Sequence, residues 1–348
     1  MNSKEKVVGI IGAGNFGKAV ANLIAQNGKV LLYSRKQEKA DLINHAHRID
    51  GVDLLPNVRA TTSLQEISER CKTIFPIVPS RRFRRMMQDL GPFLTPSHFL
   101  IHGTKGFALN QIQEEDLEFT RISRKHVSLM SEVIRQESSV VRIGCISGPN
   151  LASEINQGKP AGTLVASLYQ EVIQEAKSLL RSPLFRVFTS NDIVGTELAG
   201  ALKNIIAILS GILGGRDLGR NLQALVITKG LAEMIAFGKV MGAESKAFMG
   251  TAGIGDLIAT AMSPDSRNYR FGYRLGRGET VEEINANNDE LVEGLRTLII
   301  VYHLSRDQKV HLPIIQVLYR IIYGNFTIDE AVRYLMAYPF DTDVDFLD

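Results

Sequence analysis

Lys203 lies in the middle of the run 195–215, GTELAGALKNIIAILSGILGG, most of whose positions are apolar or small. The run reads as one buried helix, with Asn191 and Asp192 as cap candidates and Gly214-Gly215 as its stop. Gly200, Ala207, Ser210 and Gly214 fall at helical spacing from Lys203, which gives a small face along which a backbone or a ligand can approach the amine. Desolvation there lowers the pKa of an ammonium and suits it to proton transfer; the alternative is a lysine that snorkels past small residues to water. Lys105 stands between glycines in GTKG, 103–106, at the end of a strand-like run where open α/β sheets bind ligands, although an ordinary loop lysine would look the same. Asp256 closes the glycine-rich GTAGIGD, 250–256, at a helix start where the dipole favours a carboxylate in any case. Arg267 falls in the first turn of a helix marked by Ser263-Pro264, and the dipole opposes a cation there unless an anion sits nearby.

The elements that must position these groups start with a βαβ unit. Residues 7–11 are a short apolar strand, followed at once by Gly12-Ala13-Gly14-Asn15-Phe16-Gly17, a helical pattern to 26 and a second strand at 30–33. This is GxGxxG in a dinucleotide-binding context: Gly12 for the tight turn, Gly14 for approach of a pyrophosphate, Gly17 for close helix–strand packing. The helix N-terminus supplies N–H groups and a positive dipole end. The second strand ends in Ser34-Arg35-Lys36 rather than an acid, which suits a 2′-phosphate and so NADPH; Arg35 stacked on adenine would accept both cofactors. Strands follow at 73–78, 99–102, 142–147, 163–166 and 186–188. Pro76 is awkward inside its strand, because proline cannot donate to a ladder. SRRFRR, 80–85, reads as a solvated basic helix face rather than a nucleic-acid patch. From 191 onward the pattern is helical. The expected fold is an α/β Rossmann-type domain with a mainly parallel sheet, 1–190, followed by an all-α substrate-binding domain, 191–348, with a loosely held acidic end at 341–348.

Composition narrows the classes further. Apolar content of 45% and charged content of 22% are ordinary for a globular chain, and 348 residues can hold two substantial cores. A net charge of +3 is too mild to argue for nucleic acid or an anionic membrane. Cys71 and Cys145, with no CxxC or Cys/His cluster, imply a reducing compartment and no metal site. The N-terminus lacks a signal-like apolar region, and no apolar run is expected to reach the length of a membrane span, so the chain reads as soluble and cytoplasmic.

The segments GAGNFG, VPS, GTKG, SGPNLASEI, ELAGALKNIIAI, TKGLAEM, FMGTAGIGDL, SRNYRFG and LVEG occur in this order. By them the chain resembles the NAD(P)-dependent glycerol-3-phosphate dehydrogenases, the bacterial type in particular, over nearly its whole length. The resemblance implies reversible hydride transfer between NADPH or NADH and dihydroxyacetone phosphate, giving sn-glycerol 3-phosphate for phospholipid synthesis. It implies that Lys203 is the catalytic acid and base, and that Lys105 lies beside the nicotinamide and the substrate oxygens. Asp256, with Thr260 one turn on, would hold the substrate hydroxyls and orient Lys203. Ser266, Arg267 and Asn268 would bind the substrate phosphate, Arg267 also reaching the cofactor. Asn15 and Phe16 would cover the pyrophosphate, Leu291 and Glu293 would reach the cofactor from the second domain, and Gly148 and Ala152 would line the site. Asn150 stands where the family has Ser or Thr, so an amide would replace a hydroxyl contact to substrate. Leu151 and Leu291 replace Phe and Val. The partner expected is a small phosphorylated molecule; a homodimer is compatible with the sequence but not specified by it. Rival readings are another two-domain NADP-dependent 2-keto or 3-hydroxy acid dehydrogenase, which needs no phosphate site at 266–268, and a non-enzymatic NADPH sensor, which has no use for Lys203, Lys105 and Asp256 together.

Overall fold

Runs of β-branched and large apolar residues, punctuated by glycine and proline, form one eight-stranded sheet. Its strands are β1 (Val7–Ile11), β2 (Lys29–Tyr33), β3 (Val58–Thr61), β4 (Thr73–Pro76), β5 (Phe99–His102), β6 (Arg142–Ser147), β7 (Ala161–Ser167) and β8 (Phe185–Ser190). They lie in the order β8-β7-β6-β5-β4-β1-β2-β3. Every neighbouring pair is parallel except β6–β7. The order reverses between β1 and β4, the place where an open sheet forms a ligand crevice beyond its C-terminal ends. The helix Asn15–Ala25 buries Ala19, Val20, Leu23 and Ile24 in the core that also holds Val8, Ile10, Val30, Leu32 and Phe75. The fold class is as the sequence implied, but the edge strand Val58–Thr61 was not foreseen and the strand expected at 73–78 ends at Pro76, in a computed structural model that describes residues 6–118, 120–286 and 292–339.

Pro76 has a local explanation. It is the last residue of β4 and pairs with Ile11 of β1. On its other side the ladder to β5 covers only Thr73 and Ile74. The missing N–H therefore falls where that ladder has already stopped, while the Pro76 carbonyl still accepts from Gly103 N at 3.0 Å.

The chain divides into two units, Met1–Ala108 with Leu129–Ile193, and Leu109–Ser128 with Val194–Asp348. An unbroken first domain, 1–190, is thus not what forms: Leu109–Ser128 belongs with the helices. Arg296, 7% exposed, explains part of this. Its Nε and Nη2 each donate at 2.7 Å to the two carboxylate oxygens of Glu114, a forked pair that satisfies a buried guanidinium. Leu117 and Ile122 of the same segment are buried as well.

In the helical unit the helix Ile193–Gly215 is buried at nearly every position. Contrary to expectation, it is long and apolar enough to cross a membrane, but 94% of its most apolar window is buried. A backbone packs on Gly211 and Gly215, whereas Gly214 of the expected small face meets the side chains of Tyr269 and Gln223. A Cβ on Gly211 would lie 2.2 Å from the Tyr269 carbonyl, and one on Gly272 would lie 1.9 Å from that of Ile208. Gly215 and Gly276 repeat the contact one turn on, at 2.2 Å from Tyr273 O and 2.3 Å from Ile212 O. Glycines four apart on both partners thus press the helix Arg267–Gly276 directly against the helix that carries Lys203. Leu291 and 341–348 lie outside the described residues.

Candidate active site

The first unit carries a cleft of about 640 Å³ beyond the ends of β1, β2 and β4, lined by Gly12, Ala13, Gly14, Arg35, Lys36 and the basic face of the helix Ser80–Leu90, among others. The three motif glycines have three different surroundings. Gly12 has φ +123°, and a Cβ on it would meet Ile77 O at 2.1 Å. A Cβ on Gly17 would meet Gly12 O at 1.9 Å. Around Gly14 nothing lies within 4 Å of that position, and no side chain caps the helix it opens. The cradle is therefore shaped by backbone and left open at the helix N-terminus, which fits the pyrophosphate of a dinucleotide. Asn15 is exposed beside this opening, and Phe16 is half-buried against Gly103.

Cations crowd the outer part of this cleft. Ser34 Oγ accepts from Lys36 N at 3.4 Å, which curls the chain after β2 and leaves Arg35 and Lys36 exposed. Arg81, Arg82 and Arg85 face the cleft from the helix Ser80–Leu90, whose other face buries Phe83, Met87 and Leu90. The basic face that reads as merely solvated in the sequence is thus part of the cleft wall. Arg85 pairs with Asp89 at 3.3 Å. Lys18, 1% exposed, reaches Asp50 at 3.5 Å, and Lys39 reaches the same carboxylate at 3.0 Å. The hydrogen bond from Lys39, together with the charge of Lys18 and against the cost of burial, holds the Asp50 carboxyl below its ordinary range.

The GTKG loop follows β5. Thr104 clamps it to the end of β4, its hydroxyl donating to Val78 O at 2.7 Å. Lys105 Nζ donates to Gly148 O at 3.2 Å, so the lysine and the turn after β6 meet. Gly148 adopts φ +142°, a conformation that favours glycine. Asn150 Nδ2 donates to Thr163 Oγ1 at 3.0 Å, while its Oδ1 is buried with no hydrogen-bond partner among the described residues. Ala152 opens the short helix Ala152–Asn156.

In the helical unit, Lys203 is 6% exposed and Asp256 1%. The ammonium donates to Asp256 Oδ1 and, at 2.5 Å, to Thr260 Oγ1. The Thr260 hydroxyl donates in turn to Asp256 Oδ1 at 3.3 Å. A wide π turn, Thr251–Gly255, leads into the helix Asp256–Ala261 and sets Asp256 and Thr260 one turn apart on the face toward Lys203. Ser210 locks that helix down by donating to Ala261 O at 2.7 Å. Two lone charges buried this deeply would be costly; as a hydrogen-bonded pair they form a fixed, polar acid–base group.

Ser266, not Ser263, caps the next helix, accepting from Tyr269 N at 3.3 Å. Arg267 is its first residue and is exposed. Asn268 is buried: its Nδ2 donates to Asn204 Oδ1 at 3.0 Å, and its Oδ1 accepts from Gly294 N at 2.9 Å. It therefore ties the residue after Lys203 to the start of the helix Glu293–Asp307, whose first residue is Glu293. Asn204 is absent from the sequence-derived set. Its signal was a polar residue beside Lys203 in an otherwise apolar helix. Lys18 was also missed, because its partner Asp50 lies thirty-two positions away in the chain.

The family models for the two halves of NAD-dependent glycerol-3-phosphate dehydrogenase match this chain, the N-terminal one over residues 7–173 and the C-terminal one over 192–333. The chain is 35% identical over 350 residues to glycerol-3-phosphate dehydrogenase (NAD(P)+) of Pseudomonas aeruginosa, covering 99% of this chain and 98% of that one. It is 36% identical over 345 residues to the enzyme of the same name from Acinetobacter baylyi, covering 98% and 92%. Among solved structures, glycerol-3-phosphate dehydrogenase from Coxiella burnetii superposes with a TM-score of 0.85 at 29% identity, covering 96% of this chain and 99% of that one.

Proposed function

The chain belongs to the NAD-dependent glycerol-3-phosphate dehydrogenase family, and from that premise we propose how its residues divide the work. It is an NAD(P)-dependent oxidoreductase whose reaction is the reversible reduction of dihydroxyacetone phosphate to sn-glycerol 3-phosphate. A bound nicotinamide supplies or accepts the hydride. Gly12, Gly14, Asn15, Phe16 and Gly17 hold its pyrophosphate end, with Ala152, Glu293 and Leu291 as further cofactor contacts. Lys203 gives the proton to the developing alkoxide and takes it back in the reverse direction. Asp256 and Thr260 fix the ammonium and, through their remaining lone pairs, receive substrate hydroxyls. Lys105 contacts the substrate oxygens, and the orphan Asn150 Oδ1 accepts a substrate hydroxyl. Ser266 and Arg267 take the phosphate; Asn268 supports them through its bonds to Asn204 and Gly294. The reading that Arg35 and Lys36 select NADPH over NADH belongs to the same proposal, as do a cytoplasmic setting and a place in phospholipid synthesis.

The observation that carries this reading is the buried Lys203–Asp256–Thr260 group, which a cofactor-sensing protein without chemistry would not need. Substrate class is tested at Arg267. Its position in the first helical turn opposes the dipole, and a phosphate between arginine and helix N–H groups removes the conflict. Wild type should reduce dihydroxyacetone phosphate with kcat/KM orders of magnitude above that for dihydroxyacetone, because remote binding energy is used for orientation. Arg267→Ala should collapse that ratio, with NADPH affinity measured in the same variant to separate a cofactor effect. A surviving ratio would move the phosphate site elsewhere, and a wild type with no ratio would exclude the assigned substrate.

A further inference from the structure

Charge pairing inside the cofactor cleft is uneven. The acids in its lining are Asp50 and Asp89, and both are engaged: Asp50 by Lys18 and Lys39, Asp89 by Arg85. Arg35, Lys36, Arg81 and Arg82 line the same cleft with no ion pair among the described residues. They come from two elements distant in sequence, the end of β2 and the first turn of the helix Ser80–Leu90. Phe83, Met87 and Leu90 anchor that helix by the opposite face, so the direction of its arginines is set by core packing. The like charge of Arg35 is the largest influence on Arg82, holding its guanidinium below the ordinary arginine range, with burial and Arg81 adding to it. Guanidiniums gathered in one cleft whose acids are already paired repel, and the arrangement is favourable when a multiply charged anion lies against both. The pyrophosphate is not that anion: its place is at Gly12–Asn15, on the helix N-terminus, whereas the end of β2 is where the adenosine ribose falls.

We propose that Arg82 is a second specificity-determining residue for the cofactor, closing with Arg35 on the 2′-phosphate of NADPH, so that cofactor choice is made jointly by the end of β2 and the helix Ser80–Leu90. This rests on the reading that the enzyme prefers NADPH. Arg81 and Lys36 flank the pair and add to the local positive potential, but the fork-shaped contacts are assigned to Arg35 and Arg82.

The test is a set of binding titrations on the full chain, following nicotinamide fluorescence for NADPH and NADH. The fragments 2′,5′-ADP, 5′-AMP and inorganic phosphate serve as competitors. Wild type, Arg35→Gln, Arg82→Gln, Arg82→Lys and the double glutamine variant are compared, with the thermal midpoint of each recorded. Arg82→Gln should weaken NADPH and 2′,5′-ADP roughly tenfold or more, as loss of a charge-assisted contact does. NADH and 5′-AMP should change less than about twofold. Arg82→Lys should recover part of the loss, since it keeps the charge and loses the fork. Inorganic phosphate should compete only weakly, because it lacks the adenosine that places the 2′-phosphate; strong competition would make this a free-phosphate site and overturn the assignment. If Arg35→Gln discriminates between the cofactors and Arg82→Gln does not, Arg82 has no such role and the NADPH reading stands. If Arg82→Gln weakens NADPH and NADH equally, Arg82 serves the shared part of the cofactor and the proposal is wrong. A wild type with no preference for NADPH removes the underlying reading and this inference with it. A drop in thermal midpoint confined to the glutamine variant would mark Arg82 as structural.

Discussion

Arg35 and Arg82 stand exposed with no ion pair among the described residues, whereas Lys203 is buried and already engaged by Asp256 and Thr260. Both arrangements concentrate positive charge where a ligand is expected, but they meet different dielectric conditions. At the rim of the first cleft, water and salt screen the repulsion, so uncompensated charge is tolerable and attracts an anion. Inside the helical unit an unpaired ammonium would cost several kcal/mol, so its counter-charge must be built into the fold. One unit thus leaves its cations without a built-in counter-charge, and the other supplies the counter-charge in advance.

The largest expected effect breaks the built-in pair. Lys203→Met should lower kcat by about 10²-fold or more through loss of proton transfer and oxyanion stabilisation. It should also destabilise the fold by about 3–5 kcal/mol, because Asp256 is left buried without its cation. Adding Asp256→Asn should return most of the stability measured by denaturant unfolding and none of the activity. If the single variant keeps more than a tenth of kcat, the lysine is structural only.

A buried acid held by backbone amides sharpens the contrast. Glu233 accepts from the amides of Ile314 and Ile315, at 2.5 and 3.1 Å, yet burial pushes its carboxyl up to about 8. The two N–H groups do not replace a counter-ion. Because the folded value lies above the ordinary 4.5, the folded state binds the proton more tightly than the unfolded one. Stability from this group is therefore fully present below about 4.5, falls as pH rises toward about 8 and levels off above it, with a total on the order of a few kcal/mol. Glu233→Gln should flatten that slope in unfolding measured across this window; an unchanged slope would assign it to another group.

The smallest pair of effects compares glycines. Gly272→Ala places a methyl 1.9 Å from Ile208 O and should cost about 1–3 kcal/mol or more, with activity falling as Asn268 and Arg267 shift. Gly14→Ala meets no atom within 4 Å, so stability should change by less than about 0.5 kcal/mol while cofactor affinity drops. Equal stability losses would mean that the opening at Gly14 is a packing surface.

What could be read from residues alone was whatever depends on neighbours close in the chain. The turn at Gly12, the open approach at Gly14, the buried helix around Lys203 and the arginine in a first helical turn are all consequences of spacing within about ten residues. The parallel sheet was legible because strand–helix alternation leaves little other topology. The pair Ser263-Pro264 marked a helix start in the sequence, but the helix begins at Arg267 and its cap is Ser266. SRRFRR looked like a solvated face because its periodicity is the same whether that face meets bulk water or a cleft. Only the fold brings it to Arg35, forty-seven positions earlier in the numbering.

Sequence by itself determined the residue types available for chemistry and the local backbone that presents them: the glycine cradle, the lysine in its apolar helix, the aspartate after its glycine turn. Tertiary structure alone decided which charges are paired. Asp256 lies fifty-three residues from Lys203, Glu114 lies 182 from Arg296, and Asn268 lies sixty-four from Asn204. No local rule connects positions so far apart. A buried charge must nonetheless find a partner, and which partner it finds depends on the helix contacts that Gly211, Gly215, Gly272 and Gly276 allow.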